Sequence, residues 1–178
     1  MFYHPHPYPP FIPESAAKLI VGTLPPPRFS TGELKEDDVN FCYGSRDGQL
    51  WKILEQIFDV KLDYAPTEEA KQQRIAILEQ YGIGVCDMVE ACYREKVDAS
   101  DLGILNPSFR PIIPILKEHP NINTLLFTGG NSKNGPEYFF REYLKDYPEI
   151  ILDLVDNKVP RIHQFQLENR VVKTVSLT

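Results

Sequence analysis

Lys18-Leu19-Ile20-Val21-Gly22, followed by Thr23-Leu24-Pro25-Pro26-Pro27, is the stretch that decides the fold. A short apolar run closed by a glycine and then three prolines reads as a strand buried on both faces and delivered abruptly into a loop. In open α/β sheets, a loop at the carboxyl end of a buried strand is a ligand position. The pattern recurs twice. Gly82-Ile83-Gly84-Val85-Cys86-Asp87-Met88-Val89 reads as a second buried strand carrying an acid near its end, and Asp87 needs a partner wherever it sits. Thr124-Leu125-Leu126-Phe127, running into Thr128-Gly129-Gly130-Asn131, reads as a third.

Helical patterns fall between these strands. Leu50, Trp51, Ile53, Leu54, Ile57 and Phe58 are spaced for a helix, with Asp47 expected as its N-cap. Thr67 is the expected N-cap of a second helix, with Glu68 and Glu69 in its first turn, a stripe of Ile75, Leu78 and Tyr81, and Gly82 as its stop. A third is expected from Asn106-Pro107 through Ile112, Ile113, Ile115 and Leu116, shortened or kinked by Pro111 and Pro114. Pro136 suits the first turn of a fourth, with Tyr138, Phe139, Tyr143 and Leu144 on its stripe. Residues 162–167 and 170–177 flank a polar turn at Glu168-Asn169 and read as a hairpin feeding a fourth core strand. This alternation predicts an α/β three-layer sandwich: a central, mainly parallel four-stranded sheet with helices on both faces, in a single domain spanning residues 1–178. Its ligand crevice is expected among the loops after Val21, Val89, Phe127 and Val175.

The composition is that of a globular chain. Its 178 residues are 42% hydrophobic and 25% charged, with 19 Lys+Arg against 25 Asp+Glu and a formal charge of −6. No global basic field gathers polyanions, so any nucleic-acid contact rests on a local patch. No apolar run approaches the roughly 18–20 residues that span a bilayer, and Met1-Phe2-Tyr3-His4-Pro5 lacks the basic start and apolar stretch of a secretory leader; the expected location is cytoplasmic, with no membrane partner. Five of the 16 prolines fall in residues 1–13, an arm expected to be extended and stapled onto the domain by its aromatics. Cys42, Cys86 and Cys92 form neither a disulfide framework nor a four-cysteine cluster and are expected to be reduced core thiols. His4 and His6 lie in the proline-rich arm, and His119 and His163 lack ligand spacing, so no metal is expected.

Leu19-Ile20-Val21-Gly22-Thr23-Leu24-Pro25, followed about 20 residues later by Tyr43-Gly44-Ser45-Arg46-Asp47-Gly48-Gln49-Leu50-Trp51, resembles the uracil-DNA glycosylase superfamily. The nearest branches are the hypoxanthine-DNA glycosylase-like proteins and the mismatch-specific uracil/thymine glycosylases. The segment Tyr81 to Glu95, with Asp98 and Asp101, and the strand end Phe127-Thr128-Gly129 extend the likeness. The resemblance implies a domain that takes a base out of the stack, holds it against an aromatic face and helps water reach the sugar carbon. It places Tyr43 beneath the base, the backbone from Gly22 through Leu24 to Pro25 along the pocket wall, and Thr128 and Gly129 at the base edge. Arg28, Arg46 and Lys133 are the candidate phosphate contacts. The implied partner is DNA containing a damaged or mismatched base, with no metal or organic cofactor and a monomer by default.

The departures from that pattern bear on chemistry. Relatives that activate water from the first loop carry a polar residue where this chain has Leu24, which can neither orient nor deprotonate water. The hypoxanthine branch relies on an Asn where this chain has Gly48. Asp47, one residue away, and Thr23 are the remaining candidates for the catalytic role. Residues 171–178 end where, in the superfamily, a Ser/Pro-rich loop presses on DNA. Two readings follow from the resemblance: a glycosylase acting on uracil or hypoxanthine in DNA, and a catalytically silent module that binds a base, nucleotide or DNA in the same pocket. A nucleophilic hydrolase using Cys92 or Ser132 is disfavoured, since no G-x-S-x-G elbow is present.

Overall fold

The computed structural model describes residues 1–178. In chain order the elements are β1 (Phe2–Pro5), β2 (Lys18–Gly22), α1 (Pro27–Thr31), α2 (Leu50–Phe58), α3 (Glu68–Tyr81), β3 (Ile83–Asp87), β4 (Val89–Arg94), β5 (Leu105–Phe109), α4 (Ile112–Glu118), β6 (Thr124–Phe127), α5 (Pro136–Tyr143), β7 (Asp153–Asp156), β8 (Arg161–Leu167) and β9 (Arg170–Ser176). The main sheet has the order β3-β2-β6-β9-β8-β7. Its first four strands are parallel, with Leu19 beside Gly84 and Leu125, and Leu126 beside Val175. These are the four strands expected from the sequence. The sheet is wider than expected because β8 adds antiparallel to β9 across the Glu168-Asn169 turn and β7 adds antiparallel to β8.

Alternation along each buried strand divides the core into two layers. Leu19, Val21, Cys86, Leu125 and Phe127 join Ile112, Ile113 and Leu116 of α4 and Phe139, Phe140 and Tyr143 of α5. Ile20, Ile83 and Val85 face the other way, onto Trp51 and Leu54 of α2 and Ala70, Ile77 and Leu78 of α3. All three cysteines are buried free thiols. No helix is long and apolar enough to cross a membrane.

The helix ends follow local chemistry with two corrections. Thr67 caps α3, its Oγ1 accepting from the Ala70 N–H, and Gly82 ends it in the left-handed region at φ +64°. Asp47 does not cap α2: the helix begins after Gln49, and no side chain accepts from its first turn. The third helix begins only at Ile112, because Leu105–Phe109 is instead a strand paired with β4; the chain becomes helical just after Pro111.

The second buried stretch also divides. Strand β3 stops at Asp87, and the chain crosses through Met88 into β4, which belongs to a separate antiparallel sheet of order β1-β4-β5. The crossing is fixed by Met88 N–H donating to Gly22 O at 2.9 Å and Val89 N–H donating to Thr23 O at 3.1 Å. The proline-rich arm supplies β1, with His4 opposite Cys92.

His4 is fully buried, and its Nδ1 accepts from Arg94 Nε at 2.9 Å. Burial, then the Arg94 charge and His6, lower its pKa to about 4. The unfolded chain therefore takes up a proton near pH 6.5 that the native arm refuses until about pH 4. Stability from this site is full above pH 6.5 and drains as the pH falls to about 4, by roughly 3 kcal/mol. Urea midpoints measured from pH 7 to pH 4 should fall accordingly, and the same series on His4→Leu should lose most of that slope.

Candidate functional site

The carboxyl ends of β2, β3 and β6 open into a cleft of about 230 Å³. Its walls come from Thr23, Leu24, Pro25 and Pro26 after β2, from Tyr43 to Ser45 and Gly48 to Leu50 before and at the start of α2, and from Asp87, Asp101 and Thr128. The cleft sits where the sheet's parallel strands deliver their loops, the position that α/β topology reserves for ligands.

Gly22 controls how the floor is built. The register sets it beside Asp87, and a Cβ there would lie 2.6 Å from Asp87 Oδ1 and 2.8 Å from the Tyr43 hydroxyl. The missing side chain is what lets the carboxylate and the phenol meet over the strand end. Tyr43 has φ +57°, a left-handed conformation costing about 1–2 kcal/mol in a non-glycine residue. It is held there by its hydroxyl, which donates to Cys86 O at 2.7 Å, and by Gly44, whose Cβ would fall 1.8 Å from Val39 O. Trp51 Nε1 donates to Cys42 O at 2.9 Å and fixes the same segment from the α2 side. Burial, then the neighbouring Asp87, push the Tyr43 hydroxyl well above its ordinary pKa, so it remains a donor.

Two carboxylates share this cleft. Asp87 has an 8% exposed side chain, and its Oδ2 accepts from His6 Nε2 at 2.6 Å across 81 residues of chain. Asp101 stands on a short helical turn, Asp101–Gly103, supported by buried Asn134, whose Nδ2 donates to Asp101 O at 2.9 Å. Solvent reaches Asp101, yet the surrounding protein raises its carboxyl above the ordinary range; Asp87 adds to this, while Arg94 and Thr23 oppose it. No lysine or arginine lines the cleft.

The structure brings together Thr23, Leu24, Pro25, Tyr43 and Thr128, with Gly22 beneath them. Gly129 stands behind the wall, against Pro136. Asp47 lies outside, on an open face with Asp37, Arg46, Lys52 and Tyr64, its side chain 73% exposed and 3.8 Å from Arg28. Arg28 is already committed. It donates to Asp38 through Nε and Nη2, both at 2.8 Å, and to Ser45 Oγ at 2.9 Å. Asp38 is fully buried and also accepts the backbone N–H groups of Lys35 and Arg46. Burial alone would raise its carboxyl, but these donors outweigh it and hold the pKa near 2. Arg46 and Lys133 are exposed and outside the cleft lining, Arg46 on the same open face as Asp47.

His6 was not legible as a site residue, because nothing in the proline-rich arm marks which histidine returns to the sheet. Asp87 was visible as an acid in an apolar strand, a signal that it must be paired or functional. Asp101 was visible only as part of the family likeness.

No protein-family model matches the chain, and no curated protein matches it in sequence. The architecture, a three-layer α/β sandwich with its cleft at the parallel strand ends, is shared with a solved structure. A candidate uracil DNA glycosylase from Methanosarcina acetivorans, determined by solution NMR, superposes with a TM-score of 0.58 over 82% of this chain and 79% of that chain, at 17% identity. The chain therefore has a uracil-DNA glycosylase-like fold, as the strand-and-loop motifs implied.

Two substitutions test this construction. Gly22→Ala forces Asp87 and Tyr43 apart and should destabilise the protein by about 1–3 kcal/mol in urea unfolding, with the Tyr43 ring resonances displaced. Arg28→Ala strands the buried Asp38 carboxylate and should cost about 3 kcal/mol or more. A role for Arg28 confined to DNA would leave the melting temperature unchanged.

Proposed function

We propose that this chain hydrolyses the N-glycosidic bond of a deaminated base, uracil or hypoxanthine, in DNA. The observation that carries the reading is the cleft itself: on a uracil-DNA glycosylase-like fold, an aromatic side chain held in a strained conformation stands beside two carboxylates at the parallel strand ends. Strain retained at a cleft is a mark of function.

The chemistry follows from the lining. A planar base turned out of the helix would lie against Tyr43, bounded by Leu24 and Pro25, with its edge toward Thr128. As the glycosidic bond stretches, positive charge develops on the sugar, and the carboxylates of Asp87 and Asp101 favour that charge. Leu24 and Gly48 supply no polar group to the water, so activation falls to these acids, with Thr23 lining the same cleft rather than serving as a base. Asp47 points away from the cleft and is left to the outer surface. Arg46 and Lys133, both exposed, are the side chains offered to DNA phosphates.

The absence of polar side chains at Leu24 and Gly48 favours a second reading, a silent module that keeps the pocket and has lost turnover. One experiment separates the two. Duplex and single strands containing one uracil, hypoxanthine or xanthine are incubated with the purified protein and then treated with alkali. Strand breakage at the modified position is expected, with Tyr43→Ala reducing it at least about tenfold through loss of stacking worth roughly 1–3 kcal/mol. Binding of these strands without any abasic product would establish the silent module instead.

A further inference from the structure

We propose that Asp87 is the carboxylate that acts on the attacking water, and that His6, carried in by the N-terminal arm, is its positioning residue. The proposal rests on the hydrolysis reading above and adds to it the acid that works and the group that aims it.

Of the two cleft carboxylates, only Asp87 is both buried and pinned. Asp101 rides on an exposed turn. Asp87 is tethered at Oδ2 by a 2.6 Å hydrogen bond from a ring that is itself only 1% exposed, which leaves Oδ1 over Gly22, on the side of the Tyr43 phenol, with Asp87 in the lining of the cleft. A catalytic group gains from being held in one orientation before the substrate arrives.

The tautomer of His6 is fixed by its neighbours. The backbone N–H of Tyr8 donates to Nδ1 at 3.0 Å, and a backbone N–H can only donate. Nδ1 is therefore an unprotonated acceptor, the ring proton sits on Nε2, and Nε2–H points at Asp87 Oδ2. Both ring nitrogens are engaged, the backbone beneath the ring is fixed by His6 N–H donating to Glu90 O at 2.8 Å, and the Tyr8 ring stands edge-on at 6.2 Å. The arm is tied down on both sides of His6, by Arg94 on His4 and Ser30 Oγ donating to Pro5 O at 2.7 Å before it, and by the Tyr8 hydroxyl donating to Asn40 Oδ1 at 2.6 Å after it.

In the step assigned to this pair, the oxygen of water bonds to the sugar C1′ while the bond from C1′ to the base nitrogen breaks, its electron pair leaving with the base. The water proton passes to Asp87 Oδ1 and is later released to the departed base or to solvent. His6 keeps its proton throughout.

The test measures single-turnover abasic-site formation on a uracil strand at saturating protein, together with the dissociation constant of the uncleaved strand and the melting temperature of each variant. Asp87→Asn should slow the step by about 100-fold or more, and Asp101→Asn by no more than about threefold. His6→Leu should slow it about tenfold with the dissociation constant unchanged, while His6→Gln, whose amide can donate to Oδ2, should recover most of the rate. A wild-type rate in His6→Leu, or equal losses in Asp101→Asn and Asp87→Asn, overturns the proposal. Because His6→Leu can loosen the arm, the imidazole nitrogens of the wild-type protein are read separately by ¹⁵N NMR at pH 7: an Nε2–H tautomer is expected, and an Nδ1–H tautomer refutes the assignment. If the wild-type chain yields no abasic product from any strand, the hydrolysis reading falls. The pairing of His6 with Asp87 is then judged on that spectrum alone.

Discussion

The cleft exists because nothing projects from the end of β2. At Gly22 the parallel register brings Asp87 alongside, and the segment before α2 lays Tyr43 across the same point, so that carboxylate and phenol occupy the space of a side chain. Each of the other unusual features near the cleft serves that meeting. Tyr43 accepts a left-handed backbone to reach it, Gly44 gives way to Val39 O so that it can, and β3 ends at Asp87 with the chain leaving the sheet one residue later. A strand that continued past Asp87 in the same sheet would close over the carboxylate. The switch into the β1-β4-β5 sheet instead leaves the strand end open and puts the arm within reach of it.

The electrostatics separate structure from chemistry. The bidentate ion pair of Arg28 with Asp38 binds α1 to the loop that carries Ser45 and Arg46, and the Arg28 guanidinium is spent on it. Inside the cleft the only charged groups are acids. Such a field opposes the approach of phosphate and favours positive charge at the centre of the cleft. Arg46 and Lys133, by contrast, are exposed and outside the cleft lining. The net charge of −6 then works through placement rather than quantity: the cleft interior is acidic, and its cations stand outside.

The parallel sheet was readable from local pattern, since three short apolar runs, two of them ending in Gly- and Pro-containing loops and one following Gly82, are buried strands whatever their partners. Thr67 and Gly82 were readable for the same reason, because a cap depends on residues within one turn. Asp47 misled because a short acid ahead of a helical stripe is a good N-cap in isolation, and Asp38 and Arg28 hold that loop in another course. Leu105–Phe109 misled because its strand character comes from pairing with β4 rather than from its own propensity. The phenol of the site, Tyr43, was assigned through family likeness, and the glycine that admits it was in plain view. What could not be read was the partner of Asp87: a contact across 81 residues leaves no trace in periodicity or spacing.

The arm changes meaning once that contact is known. A proline-rich start with five prolines in 13 residues reads as a strap, because each proline removes a donor and stiffens the chain. Stiffness is also what delivers a side chain accurately over a distance. His4 and His6 lie two residues apart on an extended segment, and both are buried: one receives Arg94 Nε on its Nδ1, and the other presents its Nε2 to Asp87. Both rings accept at Nδ1 and hold their proton on Nε2, by different donors, so the arm fixes two tautomers without a metal or a second acid. A flexible arm would meet Asp87 only at the entropic cost of ordering itself each time. Prolines on either side of His6 meet that cost before any ligand arrives, and this is the physical reason for a proline-rich arm to lie against a cleft rather than trail from it.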